Sequence, residues 1–311
     1  MFWSLVSLLL LALVVRGVLF AIKWFVSWLG RGKRIEWAAQ DRELPQDVRD
    51  AAKELDFYYR LKGYRKLIGK PLRLTRAQLS AIFQREKIVR NDRVEHMRIT
   101  WYQVVILFIV GAVGGLVLEE VWMFVTEGLT QGRYGLVWGP FSPLYGVGAV
   151  LLTLVSRELM RRHAPWWEVF LVSMVVGGLL EQITGWGMET FMGAVSWDYS
   201  TVPGHITKWV SWPFLFFWGL IGLIWSSVIT PWLLDLIGEP TTRRQVIFVF
   251  VLAAYLALDV FMTLACFSRR AQRDQGIPPH NQFEQWVDTN FSNEFMSHRF
   301  ENMVIEGHGN K

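Results

Sequence analysis

From Trp101 to Thr126 the chain runs through 26 residues with only two charged side chains, Glu119 and Glu120. A hydrocarbon core about 30 Å thick is crossed by roughly 20 apolar residues of helix. Lipid offers no partner to an unpaired backbone N–H or C=O, so a continuous apolar run of this length must close its hydrogen bonds within itself, as a helix does. Four more such segments follow, from Phe141 to Val155, Trp166 to Thr190, Ser211 to Ile237 and Val246 to Phe267, and one precedes them, from Phe2 to about Ile22. A composition of 52% hydrophobic residues with 17 Trp agrees, since soluble domains seldom need so much apolar surface. The expectation is an all-α, polytopic integral membrane helix bundle of about six transmembrane helices.

The charged stretches divide the chain into four parts. Residues 1–29 read as an N-terminal membrane anchor helix, because the first run has neither a basic leader nor a small-residue cleavage site. Its Arg16 and Lys23 are placed to snorkel beside Trp24 and Trp28. Residues 30–100 form a basic helical segment: of 32 Lys and Arg, 18 lie between Arg31 and Arg98, against 10 acids. Residues 101–268 are the five-helix membrane core, and 269–311 a polar C-terminal tail.

Basic residues concentrate on the cytoplasmic side of membrane proteins. That puts 30–100 in the cytoplasm, with Arg157, Arg161, Arg162, Arg243 and Arg244 on the same side. The loops 127–140 and 191–210 then lie outside, in a multi-pass protein of the cell membrane, the bacterial cytoplasmic membrane by expectation. Six spans send the tail outside as well, although it opens with Arg269, Arg270 and Arg273, which conflicts with the rule. Within 30–100, Pro45 opens a helix through Ile68. Thr75-x-x-Gln78 is a capping box for a second through about Arg90, with Leu79, Ile82 and Phe83 at helical spacing. Tyr58, Tyr59 and Tyr64 interleave with Lys62, Arg65 and Lys66. This pattern suits a helix near anionic headgroups better than an RNA surface, and no nucleic-acid partner is expected.

Polar groups inside the spans are the candidates for function, since charge in hydrocarbon is costly. Gly111, Gly115 and Glu119 form one stripe, small residues letting a neighbouring helix approach. Gly178, Glu181, Gly185 and Glu189 form another. At 1.5 Å per residue from the basic ends, Glu119, Glu181 and Asp259 lie about 27, 22 and 20 Å along their helices. All three fall in the outer half of the core, with Tyr145 one turn below the outer end of its span. The loops bearing Arg133, Tyr134, Trp197, Asp198, Tyr199 and His205 open at the same end. One reading makes Trp197 to His205 the cap of a polar cavity with Glu119, Glu181 and Asp259 along a pathway. The other makes it an interfacial aromatic belt with Asp198 paired to Arg133. Glu120 and Glu127 read as interfacial.

The stretches GLVLE (115–119), GLVWGPFSPLYGVGA (135–149), EQITGWGME (181–189), WDYS (197–200), PGHI (203–206) and FWGLIG (217–222) resemble, in order, the pattern of the CmpB-like ABC-transporter type IV membrane proteins. The resemblance covers roughly 101–265. It implies a permease-like membrane component whose ATP hydrolysis, where transport is ATP-driven, resides in a separate nucleotide-binding subunit. Two departures stand out. The family's Asn-Arg-Gly-Phe is here Arg133-Tyr134-Gly135-Leu136, and His205 stands where Asn is common.

Several chemistries are absent from the sequence. There is no G-x-x-x-x-G-K-[ST] phosphate loop, no H-E-x-x-H zinc motif and no G-x-S-x-G nucleophile elbow. The single cysteine, Cys266, forms no intramolecular disulfide. No cofactor and no metal are expected. Three function classes fit what is left. A permease-like or transport-associated protein comes first. A membrane-embedded enzyme using carboxylate acid–base chemistry on a lipid or envelope precursor comes second, so the enzyme question stays open. A structural or regulatory membrane protein comes third. Expected partners are membrane lipids and a possible homo-oligomeric copy besides the nucleotide-binding subunit.

Overall fold

The computed structural model describes residues 44–305 apart from 68, 70–72, 129 and 241, together with 16, 17 and 20. Among them five helical spans are long and apolar enough to cross a membrane, and the architecture is an all-α membrane bundle. The expected first span, with its snorkelling Arg16 and Lys23, lies outside the described residues but for isolated positions.

An antiparallel hairpin comes first, α1 (Gln46–Leu67) and α2 (Arg76–His96). Thr75 and Gln78 close the expected capping box on α2. The hairpin core is small: Val48, Ala51, Ala52 and Leu55 of α1 meet Ile82 and Val89 of α2. The spans are α3 (Trp101–Glu127), α4 (Pro143–Arg161), α5 (Trp166–Gly187), α6 (Trp212–Ile224) with α7 (Thr230–Ile237), and α8 (Arg243–Asp274). Beyond α8 come α9 (Gln282–Asn290), α10 (Asn293–Arg299) and strand β2 (Val304–Ile305), which pairs antiparallel with β1 (Ala194–Val195).

Two helix pairs carry the bundle, and small residues bring each together. On α3, a Cβ at Gly111 would sit 2.3 Å from that of Ala149, and one at Gly115 2.3 Å from that of Tyr145. On α5, Gly177 receives the Trp218 ring of α6, while Gly219 and Gly222 of α6 receive Phe170 and Ser173. Without side chains at these points the backbones approach closely, the packing that holds helices together where lipid removes the hydrophobic drive.

The α6–α7 span is interrupted by a π-helical turn at Trp225–Ile229, just before Pro231. Proline donates no N–H to the preceding turn, and a widened turn accommodates the loss. A second π turn, Met188–Met192, ends α5.

Some helices exceed the apolar runs that announced them. α4 continues past Val155 because Arg157 turns out of the bundle and donates to the backbone carbonyls of Val94, Glu95 and Met97 at the end of α2. α2 in turn reaches His96, held by Arg93 on Asp235 and by Val94 and Met97 packed on Leu233, Leu234 and Ile237. The hairpin thus sits at one end of the bundle. The loops 128–142 and 193–211 share the other end with α9, α10 and β2.

Residues 269–274 complete α8, and the chain then turns at Gly276 and folds back. Val287, Phe291, Met296 and Phe300 pack on Val137, Ala194, Met262, Cys266 and Phe267. Arg269 and Arg273, read above as a topology signal, are ion-pair partners in the fold: Arg269 meets Asp288 at 2.6 Å and Glu284 at 3.4 Å, and Arg273 also meets Asp288.

Candidate functional site

Glu119 lies one turn beyond Gly115 on α3, where the close approach of α4 presents Tyr145. Arg133, from the loop after α3, donates Nη1 to Glu119 Oε1 at 2.6 Å, and the Tyr145 hydroxyl lies beside the same carboxylate. The backbone N–H of Arg133 meets Glu120. Arg133 therefore pairs with Glu119 and not with Asp198.

A second carboxylate faces this trio from α5. Glu181 follows the Gly177–Gly178 gap filled by Trp218 and Leu215. The Trp218 indole N–H and the Tyr199 hydroxyl are the polar groups beside it. Tyr199 comes from the loop between β1 and α6 and is held face to face on Phe214, ring centroids 4.5 Å apart. Its backbone N–H donates to Lys208 O at 2.7 Å. Burial raises the Tyr199 phenol pKa well above its ordinary value, and the charges of Glu181 and Glu119 raise it further. The phenol therefore stays protonated and acts as a donor. Tyr145 and Tyr199 are thus each within electrostatic reach of Glu119, and Tyr199 also of Glu181.

The set is not fully satisfied. Glu181 is only 7% exposed, yet its Oε2 has no hydrogen-bond partner. Arg133 Nε, Trp209 Nε1 and Ser211 Oγ are also buried and unpartnered at this end of the bundle. Leaving a buried polar atom unpaired costs about 1–3 kcal/mol, more for a charged one.

The other expected residues are placed differently. Glu189, in the π turn after α5, pairs with Lys208, both carboxylate oxygens 2.8 Å from Nζ. Trp197 donates Nε1 to Trp209 O at 3.1 Å; both contacts fasten the loop over the end of α5. Asp198 is exposed and accepts from Ser200 N at 2.8 Å. Its carboxyl is held below the usual range by hydrogen bonds from the Ser200 side chain and backbone. His205 is exposed, Nδ1 facing Val202 O. Neither is brought to the carboxylates.

Asp259 is fully buried on α8 and accepts from the backbone N–H groups of Trp138 at 3.0 Å and Gly139 at 2.9 Å. Its oxygens hold the loop that precedes α4. Trp218, Lys208, Trp209 and Ser211 were not singled out in the sequence. The signals for Trp218 are its place in FWGLIG (217–222) and Gly177 opposite it, which leaves room for an indole.

Among the described residues no group of three or more His, Cys, Asp or Glu is arranged to hold a metal ion. The profile of the family described as "Putative ABC-transporter type IV" matches residues 106–264. Neither the curated proteins nor the solved structures give a match to the chain.

Proposed function

The chain belongs to the ABC-transporter type IV family of membrane proteins, and from that membership we propose that it is a permease-like component of a transport system. Glu181, Tyr199 and Trp218, with Glu119, Arg133 and Tyr145 beside them, bind the solute in a polar cavity. The observation that carries the reading is the buried Glu181 carboxylate with one oxygen unpartnered. A buried carboxylate with two neutral donors and a free acceptor site calls for a cation or a strong donor. The guest is therefore a small molecule with a cationic end, and the aromatic rings of Tyr199, Phe214 and Trp218 suit the apolar part of such a group. Any ATP hydrolysis belongs to a separate nucleotide-binding subunit.

A thermal-shift series on the purified full-length protein with organic cations, zwitterions and organic anions tests this. A cation or zwitterion should raise the melting temperature, and Glu181→Gln should remove that rise while leaving ligand-free melting nearly unchanged. A charge-assisted hydrogen bond of about 1.5–3 kcal/mol corresponds to roughly 10- to 100-fold in affinity. A rise that survives in Glu181→Gln, or one given by anions alone, would overturn the assignment.

In this reading the protein sits in the bacterial cytoplasmic membrane with residues 30–100 in the cytoplasm and the carboxylate end outside. Cys266 is buried, so an introduced cysteine reports without background. In intact cells a cysteine replacing Lys62 should resist an impermeant thiol reagent, and one replacing Gln131 should react. Reaction at position 62 would reverse the orientation.

A further inference from the structure

From Phe57 to Arg85 the sequence contains eight Lys or Arg and no Asp or Glu. This stretch is the distal part of the α1–α2 hairpin, beyond its small core. Here large apolar side chains stand in the open: Phe57 is 69% exposed, Phe83 66%, Tyr64 61% and Leu79 41%. Lys62, Arg73 and Arg76 are exposed among them. A hairpin designed only to be solvated would not combine exposed aromatics with single-sign charge. A surface meeting a lipid interface does.

The attachment of the hairpin brings that surface to the membrane. Only residues 97–100 separate α2 from the first described span. At that same end of the bundle, Asp235 of α7 is bonded to Arg93 and lies within electrostatic reach of Tyr59 in the middle of α1. Tyr59 itself donates to Glu86, across the hairpin. The hairpin is thus held to the end of the bundle through the last turns of α2, by Arg93 on Asp235 and by Val94 and Met97 on α7.

We propose that the distal α1–α2 hairpin, through Lys62, Arg65, Arg73 and Arg76 with Phe57, Tyr64, Leu79 and Phe83, docks on anionic phospholipid headgroups of the membrane that the bundle crosses. The bases meet headgroup phosphates and the aromatic rings enter the boundary between headgroups and acyl chains. This is independent of what Glu181 binds. A polybasic surface next to a membrane gains about five-fold in binding per Lys or Arg, so the four bases together outweigh the cost of ordering the hairpin on the surface.

The test uses the full-length protein with Phe83→Cys labelled by an environment-sensitive fluorophore, Cys266 being buried. It is reconstituted into bilayers of phosphatidylcholine alone or of phosphatidylcholine mixed with anionic phosphatidylglycerol, each carrying a headgroup-proximal nitroxide lipid. Strong quenching is expected only in the anionic bilayer. It should fall several-fold on raising salt, as a screened interaction must. It should also fall to the neutral-lipid level in Lys62→Glu/Arg65→Glu/Arg73→Glu/Arg76→Glu, a variant whose melting temperature confirms folding. Equal quenching in neutral lipid overturns recognition by charge. No quenching in either bilayer overturns the proposal.

Discussion

Replacing Asp259 with leucine should lower stability by about 3–5 kcal/mol, because two buried N–H groups lose their acceptor at once, at about 1–3 kcal/mol each, with the loss of a charge-assisted bond added. The loop they belong to is held from two sides. Its N–H groups at Val137, Trp138 and Gly139 go to Thr263 and Asp259 of α8, and its carbonyls at Leu136 and Gly139 take Arg299 of α10. Leucine also leaves Arg299 facing the site without the Asp259 charge. Asp259→Asn keeps one acceptor oxygen and should cost less than half as much. Unfolding midpoints in mixed micelles, followed by tryptophan fluorescence, separate the two variants. A loss below about 1 kcal/mol for Asp259→Leu would mean that Thr263 and Arg299 hold the loop without it.

The second large effect concerns Asp288. Arg269 is only 3% exposed and meets both oxygens of Asp288, Nε at 3.1 Å and Nη2 at 2.6 Å, with Arg273 on the same carboxylate. Removing one partner of a buried ion pair costs about 3–5 kcal/mol. Asp288 is partly open to solvent, so the lower end of that range applies to Asp288→Ala. Its loss should loosen the docked α9–α10 unit and expose Cys266, which lies beneath Phe291 and Phe300. Modification of Cys266 by a water-soluble maleimide should then accelerate by about 100-fold at neutral pH, each 1.4 kcal/mol being tenfold.

The acid limb follows from the direction of the Asp288 shift. Hydrogen bonds from Arg269 hold its carboxyl below the usual range. A depressed folded value means the stabilisation is complete above the unfolded pKa, near 3.9, and is lost as pH falls through the still lower folded value. Amide exchange in α9 and α10 should therefore stay slow from neutrality to about pH 5 and rise below about pH 4. Asp288→Ala should lack that acid step. An unchanged maleimide rate would show that apolar packing holds the unit without the ion pair.

The spans were legible because a membrane helix is written in one local quantity, apolar length, that needs no knowledge of neighbours. Where an end depends on a partner, length misleads. α4 runs past Val155 because Arg157 has carbonyls of α2 to bind, and no property of residues 156–161 announces α2. That Glu119 and Glu181 lie on protein-facing sides of their helices was readable from the glycine stripes beneath them, since a small-residue stripe tells which face meets protein. Asp198 and His205 were equally polar and equally close in sequence, but the direction of a loop side chain is decided by its turn. Asp198 spends its acceptor on Ser200, two residues on. Arg269 and Asp288 were illegible for a different reason: nineteen positions and a reversal at Gly276 separate them, and charge alone does not tell a topology signal from half of an ion pair.

The family match starts at 106, inside α3, and stops at 264, inside α8. Neither limit is an end of the molecule's architecture. The loop before α4 is held by Arg299, Gly132 N donates to Glu301, and β1 has β2 as its only strand neighbour among the described residues. At the other end, Gln103 donates to Gly238 O and Arg157 holds the end of α2. The matched stretch thus leans on partners outside it at both ends. A chimera that grafts residues 106–264 of this chain between foreign flanks would need the closing partners supplied at both ends, from α2 below and from α9 to β2 above.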